Sequence, residues 1–345
     1  MRIAHIIWSM TTGGIETMLV DIVNEQVKSC EVRIYVVNAH YDKYLFDKID
    51  KKVIVTLLNR KRGSKSLWPV IRLNVQLMQF HPNVIHCHEG NLAPIIKVSS
   101  KKVLTIHNTH SKSDYFGKYD RLFCISNAVK EHTAQQGFHD GIVVYNGIHT
   151  NEIAVKDYSQ VLVGNKKRIV CVGRLNKDKG QQVLIEAVNE LVNNRHRTGF
   201  SIDLIGDGGE REGLEEFVVD CGLQNYVNFL GMKSRSWVYP SLKDYDLYVL
   251  PSISEGFGLT LAEACAAKLP VLTCDLAGPL EVIDGGRLGD TFKTGDAKAL
   301  ADGIEKFLIK GMDISRVETA YNYVKSNFDV TITAKRYIEE YMKLL

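Results

Sequence analysis

The 345-residue sequence contains no run of about 18 apolar residues, which removes a membrane-spanning helix from the expectation. Its opening, MRIAHIIWSMTTGG, has too short an apolar part for a signal peptide and lacks a small-residue cleavage pattern, so it reads as a first strand. The seven cysteines include no C-x-x-C pair and no framework spacing. Most lie within or beside apolar runs (Cys87, Cys124, Cys171, Cys265, Cys274), and a reducing cytoplasm is the expected setting. Internal repeats and low-complexity segments are absent. The full G-x-G-x-x-G fingerprint is also missing after the first strand, which disfavours a Rossmann dehydrogenase.

What remains is ordinary globular material, 45% apolar and 24% charged, long enough for two domains that each bury a core. The net charge of +3 hides an asymmetry. Residues 1–150 carry 19 Lys+Arg against 12 Asp+Glu, a surplus of 7, whereas the remainder carries 24 against 28. The first half is therefore the half suited to an anionic partner, and Arg60, Lys61, Arg62 and Lys65 form its densest basic cluster. No nucleic-acid partner is expected.

Short apolar strands alternate with helical patterns throughout the first half: Ile3–Trp8, Val32–Val37, Val53–Leu57, Val84–Cys87, Val103–His107 and Arg121–Ile125. Such alternation means a parallel sheet with ligands at the carboxyl ends of its strands. His86, His88 and His107 stand at such ends. Metal ligation by His86-Cys87-His88 is conceivable, but no third ligand of fitting spacing is evident and no metal is assigned. Gly13-Gly14 leads from the first strand into a helix expected from about Glu16 to Val27. A further helix is expected over Leu67–Phe80, with the apolar positions Leu67, Val70, Ile71, Leu77 and Met78 approximating one face. Ser126 or Asn127 suits a helix N-cap, and Asn146-Gly147 marks a turn near the domain boundary.

The second half is organised around Asp246–Cys274, which reads as strand, loop, helix and strand. Gly256 and Gly258 in its loop allow close backbone approach to a ligand, and the N-terminus of the helix starting near Leu259 suits an anion such as phosphate. Glu255 precedes the glycines, and Glu263 lies about one turn inside the helix, able to accept from the two hydroxyls of a ribose. Further upstream, Gly173-Arg174-Leu175 follows a strand and Lys179-Gly180 precedes a helix. A planar guanidinium and a flexible ammonium are complementary holders of a diphosphate. A third glycine-rich strand end is Gly206-Asp207-Gly208.

Two of these patterns resemble the signatures of the retaining nucleotide-sugar glycosyltransferases of family 4. Glu255, seven residues, Glu263, with Gly256-Phe257-Gly258-Leu259 after the first Glu, matches the donor-site motif, and Gly173-Arg174-Leu175 with Lys179-Gly180 matches the diphosphate-binding one. Gly13, Gly14 and Glu16, His88, His107, Gly206, Gly208 and Ala277–Ile283 resemble further family positions, although Ala277 and Lys268 stand where glycine is frequent. The resemblance implies the GT-B fold, α/β with two Rossmann-like parallel-sheet domains facing a cleft. It also implies an acceptor domain over 1–149, a donor domain over 150–327 and a last helix, 328–345, crossing back to the first. The implied reaction is metal-independent retaining transfer from a nucleoside-diphosphate sugar, UDP preferred, to a glycan or lipid-linked acceptor in bacterial polysaccharide or lipopolysaccharide synthesis. Arg174 and Lys179 would hold the diphosphate, Glu255 the sugar, Glu263 the ribose, Gly206 and Gly208 the region of the base, and His107 a further side of the sugar. His88 and Glu16 fall on the acceptor side. A GT-B epimerase or phosphorylase and a non-catalytic nucleotide-sugar binding module stand as alternatives. Cytoplasmic placement is expected, with peripheral contact between the first domain and an anionic membrane through the basic cluster beside Leu67 and Trp68.

Overall fold

The structure is a computed structural model that describes residues 1–11, 13–61, 63–160, 166–311 and 313–345. Arg62 of the basic cluster lies outside the described residues. The chain divides into two compact units, Met1–Ile148 with Phe328–Leu345, and His149–Asn327.

Among the described residues, the first unit contains β1 (Arg2–Ile7), β2 (Glu31–Asn38), β3 (Ile54–Arg60), β4 (Val84–Cys87), β5 (Lys101–Ile106), β6 (Arg121–Cys124) and β7 (Ile142–Val143). They form one sheet in the order β3-β2-β1-β4-β5-β6-β7, with every neighbouring pair parallel. Five of the six residues of β1 and all four of β4 are buried, His5 and His86 included, as expected of strands covered on both faces. Strand order reverses between β1 and β4. That reversal opens a crevice at the carboxyl ends of the central strands.

The core of this unit joins Ile3, Ile7, Leu19, Ile22, Val23, Ile34 and Val36 to Tyr337 and Tyr341 of the closing Val330–Met342 helix. Each large side chain fully buried in this way contributes about 1.5–3 kcal/mol. Asp329 caps the closing helix by accepting from the Thr331 N–H at 3.0 Å. The Val330 N–H donates to the Ile148 carbonyl at 2.9 Å, and the Ile148 N–H to the Phe328 carbonyl at 2.8 Å. The C-terminal segment is thereby stitched into the first unit.

The Trp68–Phe80 helix forms where the periodicity places it, but it buries a different face. Pro69, Leu73, Leu77 and Phe80 are buried, whereas Leu67, Ile71 and Met78 are exposed; of the apolar residues grouped on one face from the sequence only Leu77 is buried and Val70 half-buried. The helix carries apolar residues on two stripes, and periodicity does not say which one the sheet will cover.

The second unit contains β8 (Lys167–Val172), β9 (Phe200–Ile205), β10 (Val227–Gly231), β11 (Leu247–Leu250), β12 (Val271–Cys274) and β13 (Asp290–Phe292). Their order is β10-β9-β8-β11-β12-β13, again parallel throughout, with reversal between β8 and β11. All four residues of β11 and of β12 are buried. Ile169, Leu184, Val188, Ile202, Leu247 and Leu272 anchor the core. Each unit is thus a Rossmann-like parallel sheet, as the alternation of strand and helix leads one to expect.

Candidate functional site

In the second unit, the loops after the adjacent strands β8 and β11 converge at the strand-order reversal. The Ile253 and Ser254 N–H groups both donate to the Asp178 carbonyl, at 2.8 and 3.1 Å, clamping one loop to the other. Gly180 makes the clamp possible. It adopts φ 66°, and a Cβ there would lie 2.0 Å from the Pro251 carbonyl oxygen, so no other residue fits. The result is an ion pair across the loops, Lys179 Nζ to Glu255 Oε2 at 2.6 Å, with Ser252 Oγ 3.5 Å from the same oxygen.

Arg174 lies on the same β8 loop with its guanidinium exposed and in no ion pair among the described residues. Its backbone is fixed from two sides: the Gln181 amide donates to the Arg174 carbonyl at 3.1 Å, and the Leu175 N–H donates to the Asp207 carbonyl at 3.0 Å. Gly206 lets the β9 end approach this loop, because a Cβ there would lie 1.9 Å from the Gly173 carbonyl oxygen. Gly208 meets the Leu175 carbonyl in the same way. The helix Leu259–Ala266 opens at Gly258 without a side-chain cap and with Phe257 buried beside it. Glu263 on this helix accepts from the Tyr239 hydroxyl at 3.2 Å. Gly173, Arg174, Lys179, Gly206, Gly208, Glu255, Gly256, Phe257, Gly258, Leu259 and Glu263, far apart in sequence, thus all belong to loops or helix starts of one unit.

In the first unit, a cavity of about 390 Å³ lies at the ends of β1, β4 and β5, lined by residues including Trp8, Ile15, His88, Glu89, Asn91 and His107. Gly13 precedes the helix Gly14–Gln26, and Glu16 sits in its first turn with Thr11 Oγ1 3.4 Å from its carboxylate. Trp8 donates its indole N–H to Asn91 at 2.6 Å. Glu89 is the residue that motif reasoning missed. Burial, ahead of the Glu16 charge and only partly offset by the Trp8 N–H at 3.4 Å, raises its carboxyl to about 8. Its place directly after His88 at a strand end was the available signal.

Behind the cavity, His5 supplies the third imidazole that spacing alone did not reveal: nitrogens of His5, His86 and His88 lie within 4.8 Å of one another. All six ring nitrogens are already in hydrogen bonds. His5 meets Gln26 and His88, His86 meets Tyr341 and Thr105, and His88 also meets His107. A metal would have to displace that network, so the arrangement fits a hydrogen-bonded core better than a metal centre. Burial drives all four rings toward the neutral form, His5 to about 4 and His107 to about 3, with His86 and His88 also lowered.

Two parallel-sheet units with polar side chains gathered where strand order reverses are the setting for nucleotide and sugar chemistry in α/β proteins. Residues 155–325 match the family Glycosyl transferases group 1 and residues 12–152 match Glycosyltransferase Family 4, and the chain belongs to these glycosyltransferases. It is 28% identical over 298 residues to an uncharacterized glycosyltransferase, MJ1178, of Methanocaldococcus jannaschii, covering 80% of this chain and 79% of that one. It is 27% identical over 209 residues to the lipopolysaccharide core biosynthesis glycosyltransferase LpsE of Rhizobium meliloti, covering 60% and 59% of the two chains. Its fold is similar to that of Anabaena Alr3699/HepE in complex with UDP-glucose, with a TM-score of 0.82 and 20% identity over 100% of both chains.

Proposed function

We propose that this glycosyltransferase moves a sugar from a nucleoside-diphosphate sugar, UDP-linked in our reading, with retention of anomeric configuration. The acceptor is a glycan or a lipid-linked acceptor of bacterial polysaccharide or lipopolysaccharide synthesis. The observation that carries the reading is the Lys179–Glu255 pair at 2.6 Å beside the exposed Arg174. A cation for phosphate and a carboxylate for sugar hydroxyls are side by side, as the two ends of a sugar–phosphate bond require.

Breaking that bond leaves negative charge on the diphosphate. Arg174, Lys179 and the helix N-terminus after Gly258 stabilise it as it grows, which supplies the charge compensation without assigning a metal or other cofactor. Glu255 accepts from sugar hydroxyls, Glu263 from the ribose, and Gly206 and Gly208 keep the wall beside the base narrow. In the first unit, His107 is assigned a hydroxyl of the donor sugar, and Glu16, His88 and Glu89 the acceptor side. The UDP-glucose complex of the Anabaena protein supports the UDP choice, and the lipopolysaccharide core biosynthesis of the Rhizobium relative supports the acceptor class. Proton NMR of UDP- and GDP-sugars incubated with the protein tests the chemistry. UDP-sugar turnover releasing the anomer of the donor's own configuration first is expected; inverted sugar first contradicts retention, and turnover of GDP-sugars alone contradicts the UDP assignment.

The exposed stripe of the Trp68–Phe80 helix supports contact of the first unit with an anionic bilayer. Leu67 is 70% and Trp68 68% exposed, Ile71, Val75 and Met78 continue the stripe, and Lys61, Lys65 and Arg72 add exposed positive charge. No helix among the described residues is long and apolar enough to cross a membrane. Sedimentation with vesicles containing anionic lipid should carry the protein down, and Trp68→Ser with Ile71→Ser should release it. Equal sedimentation of both proteins contradicts the contact.

A further inference from the structure

Three histidines of the first unit, His5, His88 and His107, form a hydrogen-bonded chain with a direction, and a fourth, His86, packs its ring beside them. His5 and His86 are register partners on the adjacent strands β1 and β4, His88 follows two residues on, and His107 comes just after β5. Their side chains therefore fall on one face of the sheet and their rings stack: His5 with His88 at 5.4 Å between centroids, His88 with His107 at 5.5 Å. Hydrogen bonds run through the stack. His5 Nε2 is 2.8 Å from Gln26 Oε1, His5 Nδ1 is 3.1 Å from His88 Nε2, and His88 Nδ1 is 3.3 Å from His107 Nε2.

A neutral imidazole has one proton for two nitrogens, so each ring that donates on one side must accept on the other. The amide oxygen of Gln26 only accepts. His5 therefore carries its proton on Nε2 and accepts on Nδ1, and His88 must donate from Nε2 and accept on Nδ1. His107 must then donate from Nε2, which leaves its Nδ1 as a bare lone pair with no partner among the described residues. A second branch starts at the other side of the Gln26 amide and is satisfied with the amide in this orientation. Its NH2 group is 3.5 Å from the Tyr341 hydroxyl, which is 2.6 Å from His86 Nδ1; His86 Nε2 is 2.6 Å from Thr105 Oγ1, and Thr105 Oγ1 is 3.0 Å from the Tyr337 hydroxyl. Both tyrosines come from the closing helix. The burial that keeps all four rings neutral also preserves the alternation, because a doubly protonated ring would break it.

We propose that Gln26 and His5, which do not line the cavity, are positioning residues that hold the proton of His107 on Nε2, so that its Nδ1 accepts a hydrogen bond from a hydroxyl of the bound sugar. This rests on the reading above that His107 meets a sugar hydroxyl. It adds a polarity that the contact alone lacks: the hydroxyl must donate. A sugar whose hydroxyl at that position is replaced by fluorine, an acceptor only, is selected against.

Nitrogen-15 NMR of the full-length protein labelled on histidine reads the tautomer directly, with His107→Gln identifying the His107 signals. The wild-type protein should show His107 as a single tautomer protonated at Nε2. Gln26→Leu and His5→Phe should convert that signal to a tautomer average and raise the donor KM about tenfold with little change in kcat. A wild-type His107 protonated at Nδ1 overturns the assignment without recourse to any variant. So does a His107 tautomer left unchanged in a folded His5→Phe protein. A correct tautomer whose signals do not move under saturating UDP-sugar overturns the sugar contact and leaves the proton ordering standing.

Discussion

Gly180 holds together the two loops that carry Arg174, Lys179 and Glu255, and it does so by having no side chain. Gly180→Ala would drive a Cβ into the Pro251 carbonyl at 2.0 Å and strain a backbone at φ 66°. Thermal or urea unfolding should show a loss of about 2–4 kcal/mol. Lys179→Ala removes one of the cations assigned to the departing diphosphate, and kcat for donor turnover should fall about 100-fold or more with the fold intact. Glu89 makes a prediction in pH. With its carboxyl raised from 4.5 to about 8, the folded protein retains a proton that the unfolded chain has released across that window. Stability owed to this group therefore falls as pH rises from 4.5 to 8. Glu89→Gln, which cannot ionise, should lose less melting temperature than the wild type over the same range; parallel curves contradict the burial argument. Arg174, Lys179, Glu255 and Glu263 were legible in the sequence because each sits in a short segment with glycines at fixed offsets. Glu89, His5 and Gln26 were not, since a carboxylate after a histidine, a histidine inside a strand and a glutamine ending a helix acquire meaning only when β1, β4 and the closing helix meet.

At the scale of the element, the Trp68–Phe80 helix separates packing from surface chemistry. Leu77→Ala on its buried stripe should cost about 2–5 kcal/mol in urea unfolding, whereas Ile71→Ser on the exposed stripe should stay within about 0.5 kcal/mol of wild type. Equal costs would mean that the exposed stripe is covered by protein. The sequence announced this helix and its length but not which face the sheet covers, because two apolar stripes compete and only the sheet decides between them. Strands β4, β11 and β12 were read to the residue from short, mostly apolar runs bounded by polar or proline punctuation. β13 (Asp290–Phe292) went unread, being three residues long with a charged first position.

For the whole molecule, alternation of strand and helix was enough to give two parallel sheets, and the places where strand order reverses are where the candidate site residues gather, after β1 and β4 in one unit and after β8 and β11 in the other. The order itself was not legible, since pairing between distant strands leaves no local mark. Diphosphate recognition is proposed for the second unit, through Arg174 and Lys179. Calorimetric titration of the intact chain with UDP, GDP and their sugars, in the absence of divalent metal and beside Arg174→Ala, tests this most directly. UDP and UDP-sugars should bind selectively, and Arg174→Ala should weaken them at least about tenfold, roughly 1.4 kcal/mol, while the melting temperature is unchanged. Full-strength binding by a folded Arg174→Ala protein, or no binding of any nucleotide by the wild type, would contradict it.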